Sequence, residues 1–177
     1  MPTISTTIEI AASPAVVREK FLDFPSLPAY HPPDSAFIHS ITPTDRTKCN
    51  NGPETLQPGD GIECVIGRGK MAFSAVVVEN SPRAFGWRGS LPVPGLFTGV
   101  HMFRFEGVDA EDEDETGEGG RTRLVHEESF SGLLAGIMMG EGWLGSSAWV
   151  GMRRETVEGF ERFNRDFKAW VEQGVRQ

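Results

Sequence analysis

From residue 36 to residue 130 the sequence keeps a period of two, and that constrains the fold more than any other feature. Strand-like segments fall at 36–42, 60–67, 70–79, 84–91, 99–108 and 121–130. They are punctuated by Asn50-Asn51-Gly52-Pro53, Gly67-Arg68-Gly69, Asn80-Ser81-Pro82 and Gly117-Glu118-Gly119-Gly120, all of them turn chemistry. Parallel strands would need crossover helices between them, so close spacing and short turns predict an antiparallel meander. A further strand is predicted at Ile4–Ile10, where β-branched residues alternate with polar ones. Ser13-Pro14 then opens a helix in which Val16, Val17, Phe21 and Leu22 recur at helical spacing. Pro25, Pro28, Pro32 and Pro33 end it near Phe24. The stretch holding Leu27, Tyr30 and His31 reads as a loop with apolar anchors.

The last third changes period. Val157, Phe160, Phe163, Phe167, Trp170 and Val171 step by three or four residues, with Glu155, Glu158, Glu161, Arg162, Arg165 and Lys168 on the opposite side. The pattern predicts an amphipathic helix of about 20 residues whose aromatic stripe must face something apolar. A seven-stranded antiparallel sheet with one buried face is the partner at hand. The expected fold is α+β: a curved sheet wrapped around a long C-terminal helix, with one or two short helices after the first strand. The 177 residues suffice for one such domain, and no repeat or linker interrupts them.

Composition narrows the function classes. The 17 aromatic residues exclude a disordered chain. Net charge is −8, yet seven acids lie between Asp109 and Glu118; setting them aside leaves 18 acids against 17 bases. A basic footprint for nucleic acid is therefore absent. The acidic segment 109–120 is expected to be a mobile, solvated hairpin loop rather than a metal cage, since consecutive acids on a loop do not fix a coordination geometry. The most apolar window, 132–150, carries Glu141 and is glycine-rich, so no integral membrane span is expected. The segment MPTISTTIEI lacks the features of a secretory signal. Cys49 and Cys64 form neither a disulfide framework nor a metal knuckle, and the chain is expected to be cytoplasmic with both thiols reduced.

The order of elements and several local segments resemble the START-like (SRPBCC) superfamily, whose fold is the helix-grip. HPPDSAFIHSI looks like the family's lead into its second strand, and LQPGDGIECVI like its Pro-Gly turn into the third. FGWRGSLPVPGLFTGVHMFRFEG is similar to the Trp-bearing strand and the His-x-Phe-x-Phe strand that follows. GGRTRLVHEESFSGLLAGIM resembles the seventh strand running into a helix, and FERFNRDFKAWVE the C-terminal helix of the polyketide cyclase/dehydrase-like branch. The resemblance runs from Ile4 to about Glu172. It implies a single START-like domain over residues 1–177 with a ligand cavity between sheet and helix. The acidic hairpin and the glycine-rich stretch Gly140–Gly151 depart from the pattern.

Pleating assigns side chains to that cavity. His101, Phe103 and Phe105 share one face of their strand; Thr122, Leu124, His126, Glu128 and Phe130 share one face of the next. Arg121 and Arg123 send the other face to water. Phe85, Trp87 and Gly89 share a face, as do Phe73, Ala75 and Val77. His101, His126 and Glu128 are the candidate catalytic residues, since burial brings a carboxyl and an imidazole toward neutrality from opposite sides. The structural alternative is a His–Glu hydrogen bond that fastens neighbouring strands. Candidate ligand contacts are Phe73, Trp87, His101, Phe103, Phe130, Ile137, Met138 and Trp143. The segment Leu133–Met139 with Trp143, Leu144 and Trp149 reads either as core packing or as a lid. Pro92–Phe97 would form a second wall. No metal or other cofactor is expected, because 25 residues separate the two histidines and nothing has knuckle spacing.

The expected function is binding of a small, mainly hydrophobic molecule, by a monomer or a homodimer. The alternative is a cyclase/dehydratase-type enzyme that acts on a polyketide-like or other natural-product intermediate by positioning and proton transfer. An interaction module of the chaperone-activator type is a third reading. Whether the protein is an enzyme is left open by the residues.

Overall fold

In the computed structural model the strands and the terminal helix fall where the periodicity places them. The structure describes residues 2–32, 34, 36–45, 52–67, 71–90, 95–108, 120–133 and 146–175, with side chains omitted at 146–152 and 175. Strand β1 (Thr3–Ile10) leads into helix α1 (Pro14–Leu22). Strands β2 (Ile38–Pro43), β3 (Gly61–Ile66), β4 (Met71–Ser81), β5 (Ala84–Ser90), β6 (Thr98–Gly107) and β7 (Thr122–Ser131) follow. They form one antiparallel sheet in the order β1-β7-β6-β5-β4-β3-β2. The meander runs β2 to β7, and β1 closes it by pairing with β7. The fold is the helix-grip, with the sheet's inner face turned to the C-terminal helix.

Helix α1 begins as its sequence dictates. The Ser13 hydroxyl accepts from the Val16 N–H at 3.5 Å, with Pro14 at the first turn. The proline-rich segment after it is not the loop its composition suggested. Phe24–Ser26 winds into a 3₁₀ turn and Leu27–Tyr30 into a four-residue helix, α2. Each starts with a proline in its first turn, where the ring's fixed φ favours helix and no N–H is needed.

The C-terminal helix α3 (Ser146–Val175) has 30 residues against the predicted 20 or so. The extra turns lie at its start and include Gly151, whose cost of about 1 kcal/mol a long helix absorbs. Phe160, Phe163, Asn164, Phe167 and Val171 form its buried stripe. Lys168 donates to the Glu9 carbonyl at 2.5 Å, and Glu172 accepts from the Ala11 N–H at 2.9 Å, which ties the helix to edge strand β1.

Burial alternates along β6 and β7 as the pleat requires. His101, Phe103, Phe105, Leu124, His126 and Phe130 are buried, while Arg104 and Glu127 pair at 2.8 Å on the outer face. The centre of the core is Phe21 of α1, whose ring meets Phe103 at 4.4 Å and also touches Phe24, Phe85, Phe105, Phe163 and Phe167. Among the described residues no helix is long and apolar enough to cross a membrane.

Candidate functional site

Sheet register sets the candidate residues in rows. Trp87 of β5, His101 of β6, Glu128 of β7 and Ile4 of β1 are successive partners across four strands. One row on, toward α1, stand Phe85, Phe103, His126 and Thr6. One row the other way stand Gly89, Gly99 and Phe130. The polar groups thus lie on the boundary between an aromatic-filled end of the sheet and a glycine-containing end.

The two histidines are in direct contact. Their Nε2 atoms are 2.6 Å apart, so one donates a proton and the other accepts it. Trp87 stacks on His101 with centroids 4.5 Å apart, and Phe160 of α3 stacks on His126 at 3.7 Å. Asn164 of α3 reaches down to the pair: its Oδ1 lies 3.1 Å from His126 Nδ1, and its Nδ2 donates to the Thr6 hydroxyl at 3.0 Å. Among the described residues His101 Nδ1 has no hydrogen-bond partner, and Glu128 Oε2 lies 3.8 Å from it. That distance is too long for a hydrogen bond. The His–Glu bond that sequence reasoning offered as the structural alternative is therefore not formed, and a His–His bond stands in its place.

Burial decides the protonation states. The imidazolium form loses its hydration here, which pushes His101 down to about 3 and His126 well below its usual value, the neighbouring His101 adding to the effect on His126. Both rings are neutral at physiological pH. Desolvation acts oppositely on an acid and raises Glu128 to about 7. Glu128 is then a group that gives or takes a proton near neutrality, as general acid–base chemistry requires.

Glu128 also lines a cavity of about 120 Å³ at the glycine-containing end. Phe73, Trp87 and Phe97 supply its aromatic walls, Ile66 and Met71 its outer rim, and Gly89, Ser90 and Gly99 its floor. The glycines keep it open: a Cβ at Gly89 would come within 2.9 Å of the Phe73 ring, and one at Gly99 within 3.0 Å of Glu128 Oε1. Of the sequence-predicted ligand contacts, Phe73 and Trp87 line this space. His101 lies behind Trp87 and Glu128 and does not reach it, and His126 lies deeper still. Phe103 belongs to the core around Phe21, and Phe130 packs behind Phe97 with centroids 5.8 Å apart. Phe97 forms part of the wall expected from Pro92–Phe97. Ile137, Met138 and Trp143, and the acidic segment up to Gly119, lie outside the described residues.

A second buried histidine system closes the opposite flank. His31 Nδ1 is 2.7 Å from Asp166 Oδ2 of α3, and His31 Nε2 accepts from the Phe37 N–H at 2.7 Å. With Nε2 accepting, the proton sits on Nδ1 and is donated to Asp166. The clamp holds the Phe37 ring against Phe160, with centroids 5.1 Å apart, where α3 carries Gly159; a Cβ there would collide with the ring. Cys64 is buried, its thiol pushed up to about 12 by desolvation, and is chemically quiet. Among the described residues no three His, Cys, Asp or Glu side chains converge as a metal ion would need.

Sequence reasoning missed Asn164 and Thr6. The signal existed: Asn164 sits between Phe163 and Phe167 in the apolar stripe, and Thr6 alternates inward with Ile4, Ile8 and Ile10. A polar residue on a buried face demands a partner. Which partner it finds depends on how the helix lies on the sheet.

Solved structures share this architecture. A START superfamily protein from Mycobacterium smegmatis superposes with a TM-score of 0.62 at 16% identity, over 97% of this chain and 97% of that one. A hypothetical protein from Helicobacter pylori gives 0.64 at 15% identity, over 96% and 88%. The Zhui aromatase/cyclase from a Streptomyces species gives 0.58 at 15% identity, over 99% and 93%. At such identities the match speaks for the fold. No curated protein sequence matches the chain. The family model described as polyketide cyclase / dehydrase and lipid transport, however, matches residues 1–172, and with the helix-grip fold it places the chain in that family.

Proposed function

We propose that this protein binds a small, mainly hydrophobic organic molecule on the inner face of the sheet, between it and the C-terminal helix. The observation that carries the reading is the void on the sheet's inner face walled by Phe73, Trp87 and Phe97, where Glu128 is the one ionisable group among the described residues that line it. A protein interior ordinarily fills such space. Here glycines at positions 89 and 99 keep it free. An apolar cavity of ~150 Å³ holds benzene in another protein, so the described walls suit a moiety about the size of one ring. The family's name spans cyclases, dehydrases and lipid transport, which all handle apolar carbon skeletons. The reading involves no nucleic acid, membrane span or metal, and holds for a monomer or a homodimer in the cytoplasm.

The test is native mass spectrometry of the protein purified from its own source, followed by extraction of what it retains. The wild type is expected to carry an apolar metabolite, and Gly89→Val, which drives the Phe73 ring into the void, to lose it while staying folded by circular dichroism. Equal retention by the two proteins would move the ligand elsewhere.

A second reading is an enzyme of the cyclase/dehydratase kind, working on a polyketide-like intermediate by positioning and proton transfer. One observation favours it: a carboxyl raised to about 7 sits in an apolar wall, with a neutral imidazole behind it. Glu128→Gln separates the readings. A carrier keeps its ligand affinity within a few-fold, whereas an enzyme keeps binding and loses turnover.

A further inference from the structure

Behind Glu128 a row of polar atoms crosses from sheet to helix. It runs from His101 Nδ1 through the two Nε2 atoms at 2.6 Å, to His126 Nδ1 and Asn164 Oδ1 at 3.1 Å, and ends where Asn164 Nδ2 donates to Thr6 Oγ1 at 3.0 Å. Each neutral imidazole carries one N–H, so the direction of the whole row follows from one end. Asn164 turns its NH₂ to Thr6 and its oxygen to His126, so His126 donates from Nδ1 and its Nε2 is bare. His101 must then donate from Nε2, which leaves its Nδ1 bare beside Glu128. A second observation agrees: His101 Nδ1 is buried without a partner among the described residues. Orphaned buried N–H groups are rare, and an under-satisfied acceptor is tolerated better.

Resting on the cavity reading above, we infer that Asn164 and Thr6 act as positioning residues that fix the tautomers of the histidine pair. They thereby hold Glu128 as a carboxylic acid that donates to the ligand, so the bound class is an apolar molecule carrying a carbonyl or similar acceptor oxygen. A bare nitrogen lone pair 3.8 Å from the Glu128 oxygen disfavours a carboxylate and favours the protonated acid. In the reverse arrangement Asn164 donates to His126, His126 donates to His101, and His101 Nδ1–H faces Glu128; the acid would then be ionised and the site would take a donor instead. Both arrangements hold the same two imidazole protons, so they differ by tautomer and by the Glu128 proton alone. The titratable groups around the row are Glu128 on β7 and, beyond Phe163, His31 with its partner Asp166 of α3. Strands β1 and β5 present Ile4, Thr6 and Trp87.

Long-range ¹H–¹⁵N spectra of the intact protein read the tautomers directly. The expected result is Nε2–H at His101 and Nδ1–H at His126; Nε2–H at His126 overturns the inference. Acetophenone and α-methylstyrene, alike in shape but differing in C=O against C=CH₂, then serve as probes below the Glu128 midpoint of about 7. The ketone is expected to bind about five- to tenfold more tightly, and Asn164→Leu to abolish that preference. Thr6→Val, a milder change on β1, is expected to reduce the preference and guards against misfolding of the helix variant. Equal binding of the two probes to wild type sinks the ligand class and leaves the cavity standing. Binding of neither removes the cavity reading and the ligand class with it, while the tautomers remain a separate result.

Discussion

The two ends of the sheet's inner face lie on the same strands, yet one is a packed core and the other holds a cavity. At the α1 end Phe85, Phe103 and Phe105 stand in rows, and Phe21 fills the space in front of them with six aromatic neighbours. Two residues along the same strands, Trp87 and His101 stand where Phe85 and Phe103 did, and the next row is Gly89 and Gly99. No described side chain plugs that end, and a void of about 120 Å³ remains. Part of the difference lies in the strands, which carry glycines at one end and phenylalanines at the other. The rest is whether an element above the sheet supplies a side chain to fill the gap.

The comparison can be broken most forcefully at Phe21. Phe21→Ala empties the centre of the aromatic end and is expected to cost roughly 4 kcal/mol, read as a shift in the guanidinium unfolding midpoint. A loss under about 1 kcal/mol would mean that this end is as loosely filled as the other.

Acid sharpens the boundary between the ends. His31, His101 and His126 are buried with lowered pKa values, desolvation being the largest cause in each case. The unfolded chain takes up their protons near pH 6.5 while the folded chain does not, so stability falls as pH drops below about 6.5 and keeps falling toward about 3. Each such histidine contributes up to about 1.4 kcal/mol per pH unit. Glu128 works the other way: its proton is held up to about 7 when folded and is released near 4.5 when unfolded, so its stabilising contribution is complete below 4.5 and lost as pH rises through 7. Three histidines outweigh one glutamate, and the net expectation is acid destabilisation. Urea midpoints measured from about pH 8 down to about pH 4.5 check this, and a flat profile would mean that the imidazoles are wet.

Glu128→Gln removes the opposing group. Above pH 7 the variant is expected to be more stable than wild type, by on the order of 1–2 kcal/mol, because a neutral amide avoids the cost of a buried carboxylate. Below pH 4.5 the two should coincide, and the acid-induced fall should be steeper in the variant. Identical curves above pH 7 would place Glu128 in solvent. The smallest effect belongs to the outer face of α3, where Arg165 and Glu161 approach to 4.0 Å while both remain largely exposed. Arg165→Ala should change stability by less than about 0.5 kcal/mol. Any larger loss in thermal unfolding would show that this face is covered by something else.

Much of this architecture is readable in one dimension. A strand pleat has period two and a helix 3.6, so the inward positions of β6, β7 and α3 follow once the elements are recognised. His101, His126 and Glu128 were legible for that reason. The proline-rich turn after α1 was not, because prolines that forbid helix interiors also favour helix starts. Nor was the full length of α3, since glycine is only a weak argument against helix when tertiary contacts support it.

The sequence by itself determined the order of the elements, the face each buries and the identity of the polar residues on those faces. These are local properties of backbone geometry and side-chain solubility. Only the tertiary structure decided which of those residues meet. His101 joins His126 across 25 positions, His126 joins Asn164 across 38, and Asn164 joins Thr6 across 158. Such contacts depend on strand register and on the rotation of α3 over the sheet, which packing sets for the molecule as a whole. The same packing left the space beside Gly89 and Gly99 unfilled by any described side chain, and so made a cavity of one end and a core of the other.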